Sequence, residues 1–148
     1  MRALISVYDK AGVADFSRGL AELDFELVAS GGTAAHLEEH GVELAVLAGY
    51  MHLLTPPFLR RFPQRVINIH PSLLPAFPGA HAIDDALAAG VETTGVTVHY
   101  VDEGLDTGLV IAQEEVSVEP RETLEERLHA VEHRLLPKVV SELSLAAR

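Results

Sequence analysis

Apolar residues in the first seventy positions fall into short runs separated by stretches of helical spacing. ALISV (3–7), FELVAS (25–30), ELAVLAG (43–49) and RVINIH (65–70) read as buried strands. GVADFSRGLAEL (12–23) has the spacing of an amphipathic helix, and TAAHLEEHG (33–41) that of a helix closed by Gly41. PPFLRRF (56–62) reads as a short helix whose opening prolines need no N–H partners. This β-α-β-α-β-α-β order predicts a parallel sheet with helices on its faces. Beyond residue 70 the pattern changes. AIDDALAAG (82–90) predicts a helix with a glycine stop. TTGVTVHYVD (93–102) and LVIAQEEVSV (109–118) alternate as strands, and the short EGLDTG connection predicts an antiparallel pair. Leu124, Leu128, Val131, Leu135, Val139 and Leu143 form the apolar stripe of a long helix over about 124–143. Thr123 and Glu126 have capping-box spacing at its start, and Pro137 is expected to kink or loosen it.

Charge and composition narrow the function. The 148 residues suffice for one domain with a core. The formal charge is −11 and no lysine lies between Lys10 and Lys138, so there is no basic face for nucleic acid. An anionic substrate would have to be held locally, by backbone N–H groups, helix N-termini, or the knot Arg60, Arg61 and Arg65. The absence of cysteine removes disulfides, thiolate nucleophiles and cysteine-based zinc sites, and fits a reducing compartment. No segment approaches the roughly 18–20 apolar residues of a membrane helix. The opening MRALISVYDK lacks a secretory pattern, so a cytoplasmic protein is expected.

Candidate chemistry concentrates in INIHPSLLP (67–75). Asn68 and His70 share one face of a strand, at the carboxyl end where open parallel sheets hold ligands, and Pro71 then forces the chain out of regular structure. An asparagine amide can hold a developing oxyanion, and a histidine beside it can move a proton near neutral pH. A turn-capping asparagine and a satisfied core histidine are an equally good reading of the same spacing. In DEGLDTG (102–108), Asp102 and Glu103 read best as a solvated turn, whereas Asp106 is the inward candidate that could orient or charge an imidazole. Spacing alone does not bring it to His70. SGGT (30–33), with Lys10 near the same sheet edge, reads equally as a phosphate-binding strand-to-helix turn or a plain one. HLEEH (36–40) matches the inverted-zincin pattern, but its helix is short and no third ligand suggests itself. His129 and His133, four apart, read as solvent-facing, and no metal is expected.

Four stretches, VLAGYMHLLTPPFLRRFP, VINIHPSLLPAFPGAHA, TGVTVHYVDEGLDTGLVIAQE and VEHRLLP, resemble the glycinamide ribonucleotide formyltransferase family over about residues 44–140. The resemblance implies an α/β, Rossmann-like formyltransferase fold in a single domain, 1–148. The sheet would be mostly parallel, with helices on both faces, a late antiparallel pair and a long C-terminal helix. It also implies formyl transfer from 10-formyltetrahydrofolate, as co-substrate, to the amine of glycinamide ribonucleotide in purine synthesis, without a metal. By the family pattern Asn68 polarises the formyl oxygen, His70 is the proton donor, and Asp106 keeps the pKa of His70 raised. Met51, His52, Leu53 and Leu54, with Val101, Asp102 and Glu103 and again Asn68, correspond to the folate site. Arginine is common where His52 stands. Glu132 corresponds to the glutamate near the ribonucleotide sugar.

The opening 1–42 departs from that family, lacking its glycine-serine-asparagine phosphate loop and about forty residues before VLAGYM. It resembles the methylglyoxal-synthase-like start of bifunctional inosinate cyclohydrolase/aminoimidazole-carboxamide ribonucleotide formyltransferase, with a join near 42–45. There Lys10, Ser30, Gly31, Gly32 and Thr33 correspond to phosphate-gripping residues, while the cyclohydrolase's later lysines have no counterpart. The expected partners are a phosphorylated ribonucleotide and a folate, with neither nucleic acid nor membrane. A homodimer is plausible where the omitted strand–helix pair would bare a sheet face. Two other readings stand beside transfer to glycinamide ribonucleotide. One is a catalytically incomplete hybrid that binds folate or phosphate only, and the other a related formyltransferase with another acceptor.

Overall fold

The computed structural model describes residues 2–7, 26–28, 41–49 and 53–146. The helices expected over 12–23 and 33–41 therefore lie largely outside the described residues, as do Lys10, the SGGT turn, HLEEH, Met51 and His52. The strands are β1 (Arg2–Val7), β2 (Glu26–Val28), β3 (Leu44–Ala48), β4 (Val66–His70), β5 (Thr93–Tyr100) and β6 (Val110–Ser117). The helices are α1 (Pro56–Arg61), α2 (Ala82–Ala89) and α3 (Leu124–Ala146), the last entered through a 3-10 turn, Arg121–Thr123.

All six strands belong to one sheet, in the order β2-β1-β3-β4-β5-β6. Pairs β1/β2, β1/β3 and β3/β4 are parallel, and β4/β5 and β5/β6 are antiparallel. This is the expected α/β architecture, a mostly parallel sheet with a late antiparallel pair, except that β5 also runs antiparallel to β4, a pairing the order of apolar runs does not predict. Strand alternation divides the core in two. Leu44 and Val46 of β3, Ile67 and Ile69 of β4, and Val96 and Val98 of β5 face one side. There they meet Leu124, Leu128, Val131, Leu135, Leu136, Val139 and Val140 of α3. Ile83 and Leu87 of α2 pack against the same cluster. On the opposite face Ala45, Leu47 and Val66 pack with Phe62, and Phe58 and Leu59 of α1 lie against them. Burial of the α3 stripe, with hydrophobic transfer worth about 1.5–3 kcal/mol per large aliphatic side chain, is what fastens that helix to the sheet.

Local chemistry explains the helix ends. Pro56 and Pro57 open α1, where missing N–H groups cost nothing. Gly90 stops α2 in the left-handed conformation at φ +68°. At the start of α3 the capping box gives way to a different arrangement. The Thr123 hydroxyl donates to the Pro120 carbonyl at 3.3 Å and accepts from Arg127 Nε at 3.2 Å. Arg127 also donates to the carbonyls of Ser117, Val118 and Pro120, stitching the end of β6 to the first turn of the helix. The helix then runs through Pro137 to Ala146.

What positions the chemistry is the junction between the parallel and antiparallel halves. β4 takes β3 as its parallel neighbour and β5 as its antiparallel one. The register opposes Asn68 to His99 and His70 to Thr97, all on the face away from α3.

Candidate active site

At the carboxyl end of β4, four side chains from β4, β5 and the β5–β6 loop converge. His70 is buried, and its Nε2 lies 2.8 Å from the Phe77 carbonyl oxygen. A carbonyl can only accept, so this nitrogen carries a proton. The other ring nitrogen, Nδ1, is 3.5 Å from Asp106 Oδ2. Both ring nitrogens thus face acceptors, which is the setting for an imidazole that donates from either end.

Asp106 is held from three sides. Its Oδ2 accepts the Gly79 N–H at 2.8 Å, and its Oδ1 stands 3.5 Å from His99 Nε2. The side chain is 12% exposed. The hydrogen bond with His99 holds the carboxyl below its ordinary value, with the Gly79 N–H and the charges of His70 and His99 acting in the same direction; burial opposes them. Asp106 reaches this position because its backbone is left-handed, at φ +53°, a conformation aspartate tolerates better than most residues. Asp102 stays at the surface, where Oδ1 caps the loop by accepting from Gly104 N–H and the Thr107 hydroxyl. Glu103 is exposed.

The sequence reading missed His99. It is almost wholly buried, and its Nδ1 donates to the Tyr100 carbonyl at 2.8 Å. Its Nε2 lies 3.3 Å from Asn68 Nδ2. A neutral ring therefore accepts from the amide, whereas a charged one donates to Asp106. The signal that could have found it is local. In VTVHYV, His99 shares a face with Thr97 on a strand whose alternation buries it, and antiparallel pairing then puts it opposite Asn68.

While His99 is neutral, Asn68 Nδ2 spends one of its two protons on that ring and keeps the second for a carbonyl oxygen. Its Oδ1 is buried with no hydrogen-bond partner among the described residues. A buried polar atom left unpaired costs about 1–3 kcal/mol, so folding alone gives no reason for this amide to be there. The arrangement can polarise a carbonyl oxygen at Asn68 and exchange a proton at His70, with Asp106 compensating positive charge.

The remaining sequence candidates are more dispersed. Leu53 is exposed, Leu54 packs against the α1-side core, and Val101 lies partly buried on the same side. Glu132 is partly buried on α3, where burial pushes its carboxyl up and the charge of His129 acts against that rise. His129 and His133 are exposed. Among the described residues no group of three or more His, Cys, Asp or Glu side chains could hold a metal ion. None of the described helices is long and apolar enough to cross a membrane.

Comparison with known proteins extends this picture. Residues 23–140 match the family described as Formyl transferase. The chain is 50% identical over 110 residues to a phosphoribosylglycinamide formyltransferase of Bacillus subtilis (strain 168), covering 72% of this chain and 56% of that protein. It is 52% identical over 108 residues to the enzyme of the same name from Mycobacterium tuberculosis (strain ATCC 25618 / H37Rv), covering 71% and 50%. The chain thus spans about half the length of these curated relatives. Among solved structures, a phosphoribosylglycinamide formyltransferase from Bacillus halodurans superposes with a TM-score of 0.88 at 36% identity, over 100% of this chain and 97% of the other. The formyltransferase PseJ from Anoxybacillus kamchatkensis, solved with UDP-4,6-dideoxy-4-formamido-L-AltNAc and tetrahydrofolate, superposes with a TM-score of 0.82 at 29% identity, covering 98% and 77%.

Proposed function

Because the chain belongs to the formyl transferase family, we propose that it transfers a formyl group from 10-formyltetrahydrofolate to the amine of glycinamide ribonucleotide in purine synthesis. The observation that carries this reading is the convergence of Asn68, His70 and Asp106 at the carboxyl end of β4. The amine attacks the formyl carbon, and the second N–H of Asn68 takes the developing oxyanion. The bond from that carbon to N10 of the folate then breaks. The amine loses a proton, N10 gains one, and His70 carries the exchange while Asp106 balances its charge. An oxyanion donor of this kind is worth about 3–4 kcal/mol, or 10²–10³ in rate.

In this reading Met51, His52, Leu53, Leu54, Val101, Asp102 and Glu103 line the folate site, and Glu132 meets the ribonucleotide sugar. The phosphate role of Lys10 and residues 30–33, and the derivation of 1–42 from a methylglyoxal-synthase-like protein, rest on sequence alone. The family match begins at residue 23, inside that segment, and the comparisons lend the join no support. We further infer that the chain works as one α/β unit, in the cytoplasm, and pairs with a second copy.

The test is product formation from glycinamide ribonucleotide and 10-formyltetrahydrofolate, read by mass spectrometry, with the protein's mass in solution measured alongside. Wild-type turnover is expected, abolished in Asn68→Ala and His70→Ala while both stay folded. Near-native turnover in either variant refutes the residue assignment, and folate binding without product favours a binding-only protein. The likeness to PseJ makes an amino-sugar nucleotide the second acceptor to assay.

A further inference from the structure

Gln113 lies on β6, an edge strand, and is exposed, yet its amide is committed inwards. Nε2 donates to the Leu74 carbonyl at 2.8 Å and to Thr97 Oγ1 at 2.9 Å, which uses both of its protons. The fully buried Thr97 hydroxyl also accepts the Leu74 N–H at 3.1 Å. With two acceptor positions filled, its one proton goes to the Ser72 carbonyl, at 2.7 Å. Ser72 Oγ in turn donates to the Ala76 carbonyl at 2.6 Å. The irregular segment after β4 is therefore stapled at residues 72 and 74 to two strands through a single hydroxyl–amide node.

That same segment carries the two backbone groups that hold the candidate proton-transfer pair. The Phe77 carbonyl accepts from His70 Nε2, and the Gly79 N–H donates to Asp106 Oδ2. Leu73 presses so closely on β5 that a Cβ at Gly95 would stand 2.6 Å from its side chain. Little separates a shift at residue 74 from a shift at residues 77 and 79.

We propose that Gln113 is a positioning residue for the reaction. From the sheet edge its amide locks the 72–79 segment, which aims the Phe77 carbonyl at His70 and the Gly79 N–H at Asp106. This rests on the formyl-transfer reading above for its consequence in rate, though not for its consequence in geometry. A misplacement of about 1 Å at a reacting group can cost 10²-fold.

The experiment compares wild type, Gln113→Leu, Gln113→Glu and, as a control on the same exposed strand, Glu115→Gln. Readouts are kcat and KM for formyl transfer, Tm, and the imidazole ¹⁵N shifts of His70. Leucine removes the donors, and glutamate at neutral pH sets a carboxylate against the Leu74 carbonyl. Both are expected to lower kcat at least tenfold, to leave KM for folate within twofold and Tm close to wild type, and to move the His70 ¹⁵N shifts. Glu115→Gln should change none of these. An unchanged kcat in Gln113→Leu overturns the proposal, as does a fall in kcat that only follows a fall in Tm. Unmoved His70 shifts overturn it even if the wild type turns over no substrate, a result that by itself would sink only the formyl-transfer reading.

Discussion

Replacing Asp106 by asparagine tests the charge at the centre of the site while sparing its shape. Asparagine adopts positive φ at least as readily as aspartate, so the φ of +53° is retained. Its Oδ1 can still accept the Gly79 N–H that Asp106 Oδ2 takes now. What disappears is a negative charge 3.5 Å from His70 Nδ1 and 3.5 Å from His99 Nε2. At that separation, with an effective dielectric of about 20, a unit pair attracts by about 4–5 kcal/mol. Solvent reaching the partly exposed carboxylate, and the dipole that asparagine keeps, recover about half. The net loss when His70 bears charge in the transition state is then about 2–3 kcal/mol, or roughly 30- to 150-fold in kcat. Steady-state formyl transfer at neutral pH reads the effect, with circular dichroism and Tm to show that the fold survives. A loss below about threefold in a well-folded variant would mean that the carboxylate does not balance charge on His70, and the mechanism would have to be rebuilt around Asn68 alone.

Two further outcomes follow from contacts around the site. A Cβ at residue 108 would lie 1.7 Å from the Tyr100 carbonyl oxygen, the acceptor of His99 Nδ1. Gly108→Ala should therefore displace that carbonyl, release His99 and Asn68, and cut formyl transfer by more than tenfold at a cost of about 1–3 kcal/mol of stability by denaturant titration; wild-type activity would show that the loop shifts freely. Glu132 has a folded-state carboxyl value raised above its ordinary 4.5, so its ionisation favours the unfolded chain. The penalty is full above the raised value and vanishes below the ordinary one. Glu132→Gln should accordingly raise Tm at neutral pH, and the gain should fade as the pH falls towards 4; a Tm difference independent of pH would contradict this.

The elements were legible because they are written locally. The short apolar runs of β4 and β5, helical spacing in α3 and the glycine after α2 each depend on residues a few positions apart, and the hydrophobic effect rewards the same pattern in any fold that covers those faces. Asn68 and His70 stood out for the same reason, being polar groups at the end of an apolar strand. The rest of the site depends on distances between separate parts of the chain. Asp106 meets His70 across 36 positions of sequence because the β4/β5 register and a left-handed turn carry it there. His99 looked like one more residue of an alternating strand until that register set it against Asn68. Nothing local marks Gln113 within its strand, and only the tertiary structure brings the Leu74 carbonyl and the Thr97 hydroxyl of β5 to its amide. Composition and periodicity encode which faces are buried. Hydrogen bonds and ion pairs fall off within a few ångströms, so the identity of partners was decided only when the tertiary structure set those distances.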